Sequence, residues 1–280
     1  LLLLLLLLAR VVRGKYFGAV VAVKLLELEP DPDHPEADRR RVYQEVALVA
    51  RCRAPNVPTF YGLLWIDQPG VLGVVMECLE GGNLREVLQE AAPAGLPLCV
   101  QKRIAMEMFQ GLSYFHAHDV VHKDIKPENI LLARRIDLMD AVQAPFVKIV
   151  DLGLSQIIRP GDILTANPRC TPPYEAPELR PEDSSVKFAT YDWRADIYSA
   201  ALVVFEMFTG QCPFAGLDDI VMRHYKASYT NGGMPPMPAA VAPLPQPFDA
   251  ALRPCLGRPE HRPSAEAMIL TAEHQMYTFD

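Results

Sequence analysis

The sequence predicts an α+β fold, with strands concentrated before residue 80 and helices after it. Three observations point there. Before residue 80 the apolar residues come in short runs rich in β-branched side chains, separated by Gly, Pro and Asp turns, which is the pattern of strands. After residue 80 long stretches repeat apolar residues at spacings of three and four, which is the pattern of helices. The chain has 280 residues and is 50% hydrophobic, enough for one large domain or two lobes around a sizeable core.

In chain order, Leu1–Leu8 is a leucine run too short to span a bilayer, with no basic segment before it and no small-residue cleavage site after it. The first residue is not Met, so a piece of a longer protein is expected. Val11-Val12 and Val20–Leu26 read as two strands, with Arg13-Gly14-Lys15 as the polar break and Lys24 as the odd charged member of the second. The prolines at 30, 32 and 35 make residues 30–38 an expected acidic loop. From Asp38 to Arg51 the pattern turns helical, with Val42, Val46 and Val49 on one face and Glu45 beside that stripe. Thr59–Ile66 and Val71–Glu77 are two further strands joined by a turn at Asp67-Gln68-Pro69-Gly70.

Asn83–Glu90 reads as a short helix capped by Asn83. Cys99–His118 reads as a long amphipathic helix with Ile104, Met108, Leu112 and Phe115 on one face. His116 and His118 read as surface or packing histidines. Ile130-Leu131-Leu132 and Val147–Val150 are expected buried strands around an inserted loop at 134–146. Ser155–Cys170 is polar and broken by Pro and Gly, the composition of a mobile segment. Ala200–Phe208 is apolar nearly all round, so its helix is central, and Asp196 near its start is placed to cap it and brace a loop. Residues 228–248 are Pro-rich and expected to be extended or loop; a last helix follows Ser264.

Charge and cysteine usage exclude other classes. A net charge of −7 argues against general nucleic-acid binding. Cys52, Cys78, Cys99, Cys170, Cys212 and Cys255 are scattered without a C-x-x-C pair, which argues against zinc and against a disulfide framework. Reduced thiols and a cytoplasmic location are expected, with no membrane segment within the chain.

The chemistry concentrates in His122-Lys123-Asp124-Ile125-Lys126-Pro127-Glu128-Asn129. It places a carboxylate, an ammonium and an amide at 124, 126 and 129, with Pro127 stiffening the loop. Phosphoryl transfer needs these groups: a carboxylate for a hydroxyl proton, a cation for the moving phosphate and an oxygen ligand for magnesium. The stretch resembles the H-R-D-L-x-x-x-N catalytic loop of protein kinases.

Other stretches extend the resemblance in order. Val21-Ala22-Val23-Lys24 resembles the V-A-I-K strand, with Glu45 as the lysine's partner. Glu77-Cys78-Leu79-Glu80-Gly81-Gly82, with Met76 before it, looks like the hinge. Asp151-Leu152-Gly153 resembles D-F-G, with Leu for Phe. Cys170-Thr171-Pro172-Pro173-Tyr174-Glu175-Ala176-Pro177-Glu178 resembles G-T-P-x-Y-x-A-P-E, with Cys for Gly and Glu175 where an apolar residue is common. Asp196-Ile197-Tyr198-Ser199 resembles the start of D-x-Y-S-x-G, and Arg262 resembles the buried arginine that pairs with the A-P-E glutamate, here Glu178. The chain is thereby similar to a eukaryotic protein kinase domain of serine/threonine type, resembling the tyrosine-kinase-like group.

The resemblance implies a two-lobed protein-kinase-like fold, with a small N-lobe at 1–80 built on an antiparallel sheet with one main helix and a larger, mainly helical C-lobe at 81–280. It implies ATP and Mg²⁺ as cofactors. Asp124 and Lys126 would be catalytic, and Asn129 and Asp151 would hold the metal. Lys24 and Glu45 would hold the phosphates, while Val11, Ala22, Met76, Glu77, Cys78 and Leu131 would line the adenine site. Thr171, Glu178, Asp196 and Arg262 would shape the substrate groove and its support. A protein substrate is implied, with an upstream kinase or autophosphorylation as the regulatory partner and Thr165 or Thr171 as hydroxyl candidates. Thr171 is the better candidate for a structural contact to Asp124 and Lys126.

Two departures stand out. In the register that places Val11 on the family's valine, Leu1–Leu8 occupies the glycine-rich phosphate cradle, and Gly14 and Gly18 become turn residues between strands. The start of the domain is then truncated or replaced, or nucleotide binding is weakened. Lys123 replaces an arginine whose fork could grip a phosphorylated segment, and a lysine is only a point charge. A pseudokinase that binds or scaffolds without turnover is the alternative reading. A small-molecule phosphotransferase ranks last, because it has no use for Thr171–Glu178.

Overall fold

Val11–Tyr16 (β1) and Ala19–Glu27 (β2) pair antiparallel through a two-residue turn, Phe17-Gly18, with φ of 47° and 84°. Two positive φ values make the primed turn that matches strand twist, and Gly18 adopts its share without steric cost. The turn therefore falls at 17–18, and Arg13-Gly14-Lys15 lies inside β1. This corrects the expected break there and the expected role of Gly14 as a turn residue.

The computed structural model describes residues 11–27, 35–66, 70–92, 94–136, 147–158, 171–179, 191–228 and 246–277. Expectations for the leucine run, for residues 30–34 and 67–69, for most of the inserted loop, for 159–170 with Thr165, and for 229–245 lie outside the described residues.

Phe60–Trp65 (β3) and Val71–Glu77 (β4) complete a four-stranded antiparallel sheet in the order β1-β2-β4-β3. Its register sets Lys24 opposite Val74 and Ala22 opposite Met76. The alternation of strand side chains then puts Ala22 and Lys24 on one face, with Val21 and Val23 buried on the other.

The main helix of this part, α1, runs from Pro35 to Arg51 and packs against the 3₁₀ turn Leu152–Leu154. It starts three residues before the periodicity does, which corrects the loop expected through residue 38. A proline at the first helical position gives up only an N–H that has no partner there.

Leu84–Ala91 (α2) opens on a capping box: Asn83 accepts from the Glu86 amide at 3.0 Å, and Glu86 accepts from the Asn83 amide at 3.1 Å. Leu98–Ala117 (α3) buries Ile104, Met108, Leu112 and Phe115 completely. Val120–Val121 (β5) leads into the loop at 122–129, and Ile130–Leu132 (β6) pairs with Val147–Ile149 (β7). Gln156–Ile157 (β8) pairs back onto β5.

Arg194–Thr209 (α4) is buried from Ala195 to Met207 and ends at Gly210 in the left-handed conformation. Asp219–Ser228 (α5), Gln246–Cys255 (α6) and Ala265–Tyr277 (α7) follow, with α6 against α4 and α7 against α3 and α6. α6 corrects the loop expected up to 248. Phe248, Leu252 and Cys255 form a buried stripe that draws this segment into the core as helix, and Pro247 is tolerated in its first turn. Among the described residues no helix is long and apolar enough to cross a membrane.

Candidate active site

An open cleft of about 1040 Å³ lies between the sheet and the helical part. Its apolar end is formed by Val11, Ala22, Met76, Cys78 and Leu131 together with Glu77; its polar end by Lys24, Glu45, Asp124, Asn129 and Asp151. The chain reaches this cleft from the sheet through Gly81, whose amide donates to Leu132 O at 3.0 Å. A Cβ at Gly81 would lie 2.3 Å from Arg134 O, so only glycine lets the linking segment pass this close to β6.

The loop after β5 is held from below. Asp196 is 0% exposed and accepts from the amides of His122 and Lys123, both at 2.8 Å. His116 Nε2 stands 3.0 Å from the same carboxylate. Asp196 is the third residue of α4, whose N-cap Trp193 makes no side-chain cap bond; the side chain of Asp192, one residue earlier, accepts from the Arg194 amide at 2.9 Å. The expected cap is thus corrected, and the expected brace on the loop is present. His116 keeps the packing role expected of it, its ring 5.7 Å from that of Trp193, and adds the contact to Asp196. Nothing in its spacing could reveal a partner 80 residues away.

At the mouth, three side chains form a triangle. Thr171 Oγ1 donates to Asp124 Oδ1 at 2.8 Å, Lys126 Nζ donates to Thr171 Oγ1 at 2.7 Å, and Lys126 lies 2.7 Å from Asp124 Oδ2. Asn129 turns its Nδ2 inward, to Asp124 O at 2.7 Å and to Asp124 Oδ2 at 3.1 Å. The 3₁₀ turn Pro127–Asn129 brings Asn129 back under Asp124.

Deeper in, Lys24 Nζ donates to Glu45 Oε1 at 2.5 Å and to Asp151 Oδ1 at 2.7 Å. Burial works against the ammonium, yet the two carboxylates outweigh it and hold its pKa above the ordinary lysine value. Burial likewise works against charge on Asp151, and Lys24 outweighs it, holding that carboxyl below its ordinary value. Asp151 sits in the left-handed region at φ 66°, accepts from the Gly153 amide, and follows Val150, whose carbonyl meets His122 Nε2 at 2.9 Å. Leu152 is buried.

The donor set suits a hard divalent cation. Asn129 spends its amide nitrogen on Asp124, which turns its oxygen into the atom that could meet a cation, and the Asp151 side chain is 47% exposed. Magnesium takes one or two carboxylates and completes its shell with waters and phosphate oxygens. Among the described residues no group of three His, Cys, Asp or Glu forms a self-sufficient metal site.

The support reaches beyond the cleft. Arg262, with 1% of its side chain exposed, donates to both oxygens of Glu178 at 2.5 and 2.9 Å, to Gly257 O and to Arg194 O, and stacks on Tyr198. Two further networks escape sequence reasoning. Lys148 bonds Glu77 at 2.8 Å, tying β7 to the end of β4. Arg85 bonds Glu128 at 2.9 Å, Tyr174 Oη at 2.6 Å and Glu206. Neither offers a local signal, because every partner comes from a distant element.

Comparison with known proteins agrees with this geometry. The profile of the family described as "Protein kinase domain" matches residues 9–270. "Mitogen-activated protein kinase kinase kinase 19" of Mus musculus is 29% identical over 260 residues, which is 90% of this chain and 18% of that protein. "Serine/threonine/tyrosine-protein kinase HT1" of Arabidopsis thaliana is 29% identical over 239 residues, 84% of this chain and 55% of that protein. "Mitogen-activated protein kinase kinase kinase 11" of Homo sapiens is 29% identical over 264 residues, 93% of this chain and 29% of that protein. The chain therefore spans between about a fifth and about half of the length of these relatives.

Proposed function

The chain belongs to the protein kinase domain family, and on that premise we propose that it transfers the γ-phosphoryl group of ATP to Ser and Thr hydroxyls of protein substrates, with Mg²⁺ as the ion. The observation that carries this reading is the Asp124–Lys126–Thr171 triangle at the mouth of the cleft that also holds Lys24, Glu45 and Asp151. Asp124 accepts the proton of the attacking hydroxyl, and Asn129 keeps its carboxylate oriented. Lys126 lies beside Asp124, where it stabilises charge on the transferring group. Lys24, extended by Glu45, meets the α- and β-phosphates. Asn129 and Asp151 would hold the cation, which when bound offsets the charge of the phosphates.

Val11, Ala22, Met76 and Leu131 take the flat apolar base, while the backbone at Glu77 and Cys78 meets its polar edge. The two lobes divide after residue 80. Thr171 and Glu178 frame the substrate groove, supported by Asp196 and Arg262. We further infer a cytoplasmic setting and regulation by an upstream kinase or by autophosphorylation.

Incubation of the purified chain with radiolabelled ATP and Mg²⁺ tests the reading. Generic Ser/Thr and Tyr substrates are supplied in separate arms. Label is expected on the Ser/Thr substrate and lost in Asp124→Asn. Equal incorporation by Asp124→Asn and wild type would sink the assignment. ATP-dependent thermal stabilisation without incorporation would favour a binding module.

A further inference from the structure

Arg85 is a cation seated in a site of the kind a substrate cation would fill. It is the second residue of α2, whose start is fixed by the capping box at Asn83 and by the fully buried Leu84. Its guanidinium reaches three other elements at once. Nε donates to Glu128 Oε1 at 2.9 Å, Nη1 to Glu206 Oε1, and Nη2 to Tyr174 Oη at 2.6 Å. Tyr174 Oη in turn donates to Glu206 Oε2. Burial pushes the Tyr174 phenol above its ordinary pKa, so the hydroxyl keeps the proton it shares. Two carboxylates and a phenol oxygen thus converge on one planar fork, which is the recognition geometry of a guanidinium.

The site adjoins the acceptor position. Glu128 shares a 3₁₀ turn with Asn129, whose amide holds Asp124. Tyr174 lies three residues beyond Thr171, which donates to Asp124. Side-chain exposure rises outward, from 4% at Glu206 through 23% at Arg85 to 43% at Glu128. An internal tie is complete with Glu206 and Tyr174. The bond to Glu128 carries the fork on to the surface of the loop that bears Asp124. Without Arg85 the cluster would hold two uncompensated carboxylates, one of them buried, around an opening of guanidinium size.

We propose that Arg85 is a specificity-determining residue: from within the chain it fills an acidic subsite that Glu128 and Glu206 would otherwise offer to an arginine of the protein substrate. The proposal rests on the reading of the cleft as a protein kinase site. With the subsite filled, a basic residue placed there gains the substrate nothing, and peptides that lack one are used as well. With Arg85 removed, an arginine-bearing substrate is the partner that satisfies the stranded carboxylates.

The test uses the full chain and a serine peptide in which a single arginine is moved through the positions on either side of the acceptor. Wild type is expected to use every such peptide with kcat/KM within about twofold of the arginine-free one. Arg85→Ala is expected to prefer arginine at one position by about tenfold, through KM, with kcat alike among the peptides. Arg85→Ala/Glu128→Gln is expected to keep no more than about twofold of that preference. Because Arg85→Ala strands a buried carboxylate, Arg85→Ala/Glu206→Gln is assayed beside it. This variant removes the stranded charge, keeps Glu128, and is expected to show about a threefold preference.

Methylguanidinium gives a readout without turnover. At millimolar concentration it should raise the Tm of Arg85→Ala by a few degrees over sodium chloride of equal ionic strength, and leave wild type unmoved. An arginine preference of about tenfold in wild type overturns the proposal. So does a fall in kcat/KM of Arg85→Ala that is the same for every peptide, which marks a tie that only holds structure. A preference that survives Glu128→Gln in full overturns it as well. If wild type transfers no phosphoryl group to any peptide, the reading of the cleft fails, and the methylguanidinium shift still decides the subsite.

Discussion

Replacing Asp196 by Asn changes one atom and should disturb the loop more than most deletions. The carboxylate accepts three bonds, at 2.8, 2.8 and 3.0 Å, from His122 N, Lys123 N and His116 Nε2. At 0% exposure no water replaces what is lost. Asparagine keeps one acceptor oxygen and turns an NH₂ group toward an amide that also donates. Each bond to a charged group is worth about 1.5–3 kcal/mol, and a buried donor left without an acceptor costs about 1–3 kcal/mol. Removing a buried charge returns part of its desolvation penalty. The sum is a net loss of about 3 kcal/mol.

Lys123 adds to the effect, because its left-handed backbone is strained by about 1–2 kcal/mol and its amide bond to Asp196 offsets that strain. Urea titration followed by intrinsic fluorescence measures the stability change, and kcat is read on the same samples. Asp192→Asn is the control: its partner Arg194 and its own side chain are each about a third exposed, so a loss below about 1 kcal/mol is expected. A stability change below about 1 kcal/mol in Asp196→Asn, with kcat intact, would falsify the account of how this loop is held.

Other expectations follow from the same contacts. Arg262→Ala strands Glu178 and two carbonyls and should cost about 3–5 kcal/mol in urea titration, with Arg262→Lys losing less. The Lys24–Asp151 pair should make a pH-independent contribution through the neutral range. The raised lysine holds its stabilisation up to its unfolded value and loses it only as pH climbs through its folded one. The lowered carboxylate holds its own above its unfolded value and loses it as pH falls through its folded one. Lys24→Met should therefore cost the same stability at about pH 6 and about pH 9, and a loss that differs by more than about 1 kcal/mol would contradict it. Burial pushes the Cys255 thiol up to about 12, while Cys99 is exposed. Iodoacetamide on the native protein should label Cys99 and spare Cys255, which peptide mapping by mass spectrometry would show.

What could be read from sequence had local causes. The apolar stripe of α3, the Asn83 cap and the runs of β2, β4 and β6 follow from side-chain spacing and backbone chemistry within a few residues. The misplaced boundaries also have a local reason. Prolines at 35 and 247 suggest loops, yet in a first helical turn they cost no hydrogen bond, and buried side chains further along decide for helix. The turn at Phe17-Gly18 carried a weaker signal than the charged residues around Gly14, because a primed turn is recognised by φ and only one of its two residues is glycine.

The candidate site divides the same way. Its residue types and their order along the chain are properties of the sequence, and the resemblance carried by Lys24, Glu45, Asp124, Asn129 and Asp151 needed no coordinates. Their convergence did need them. Lys24 meets Asp151 across 127 positions, and Thr171 meets Asp124 across 47. His116, Arg85 and Lys148 showed no pattern in one dimension. A buried charge takes whichever partner the packing of distant elements delivers, so the sequence by itself determined which groups are present and the tertiary structure alone decided which of them touch.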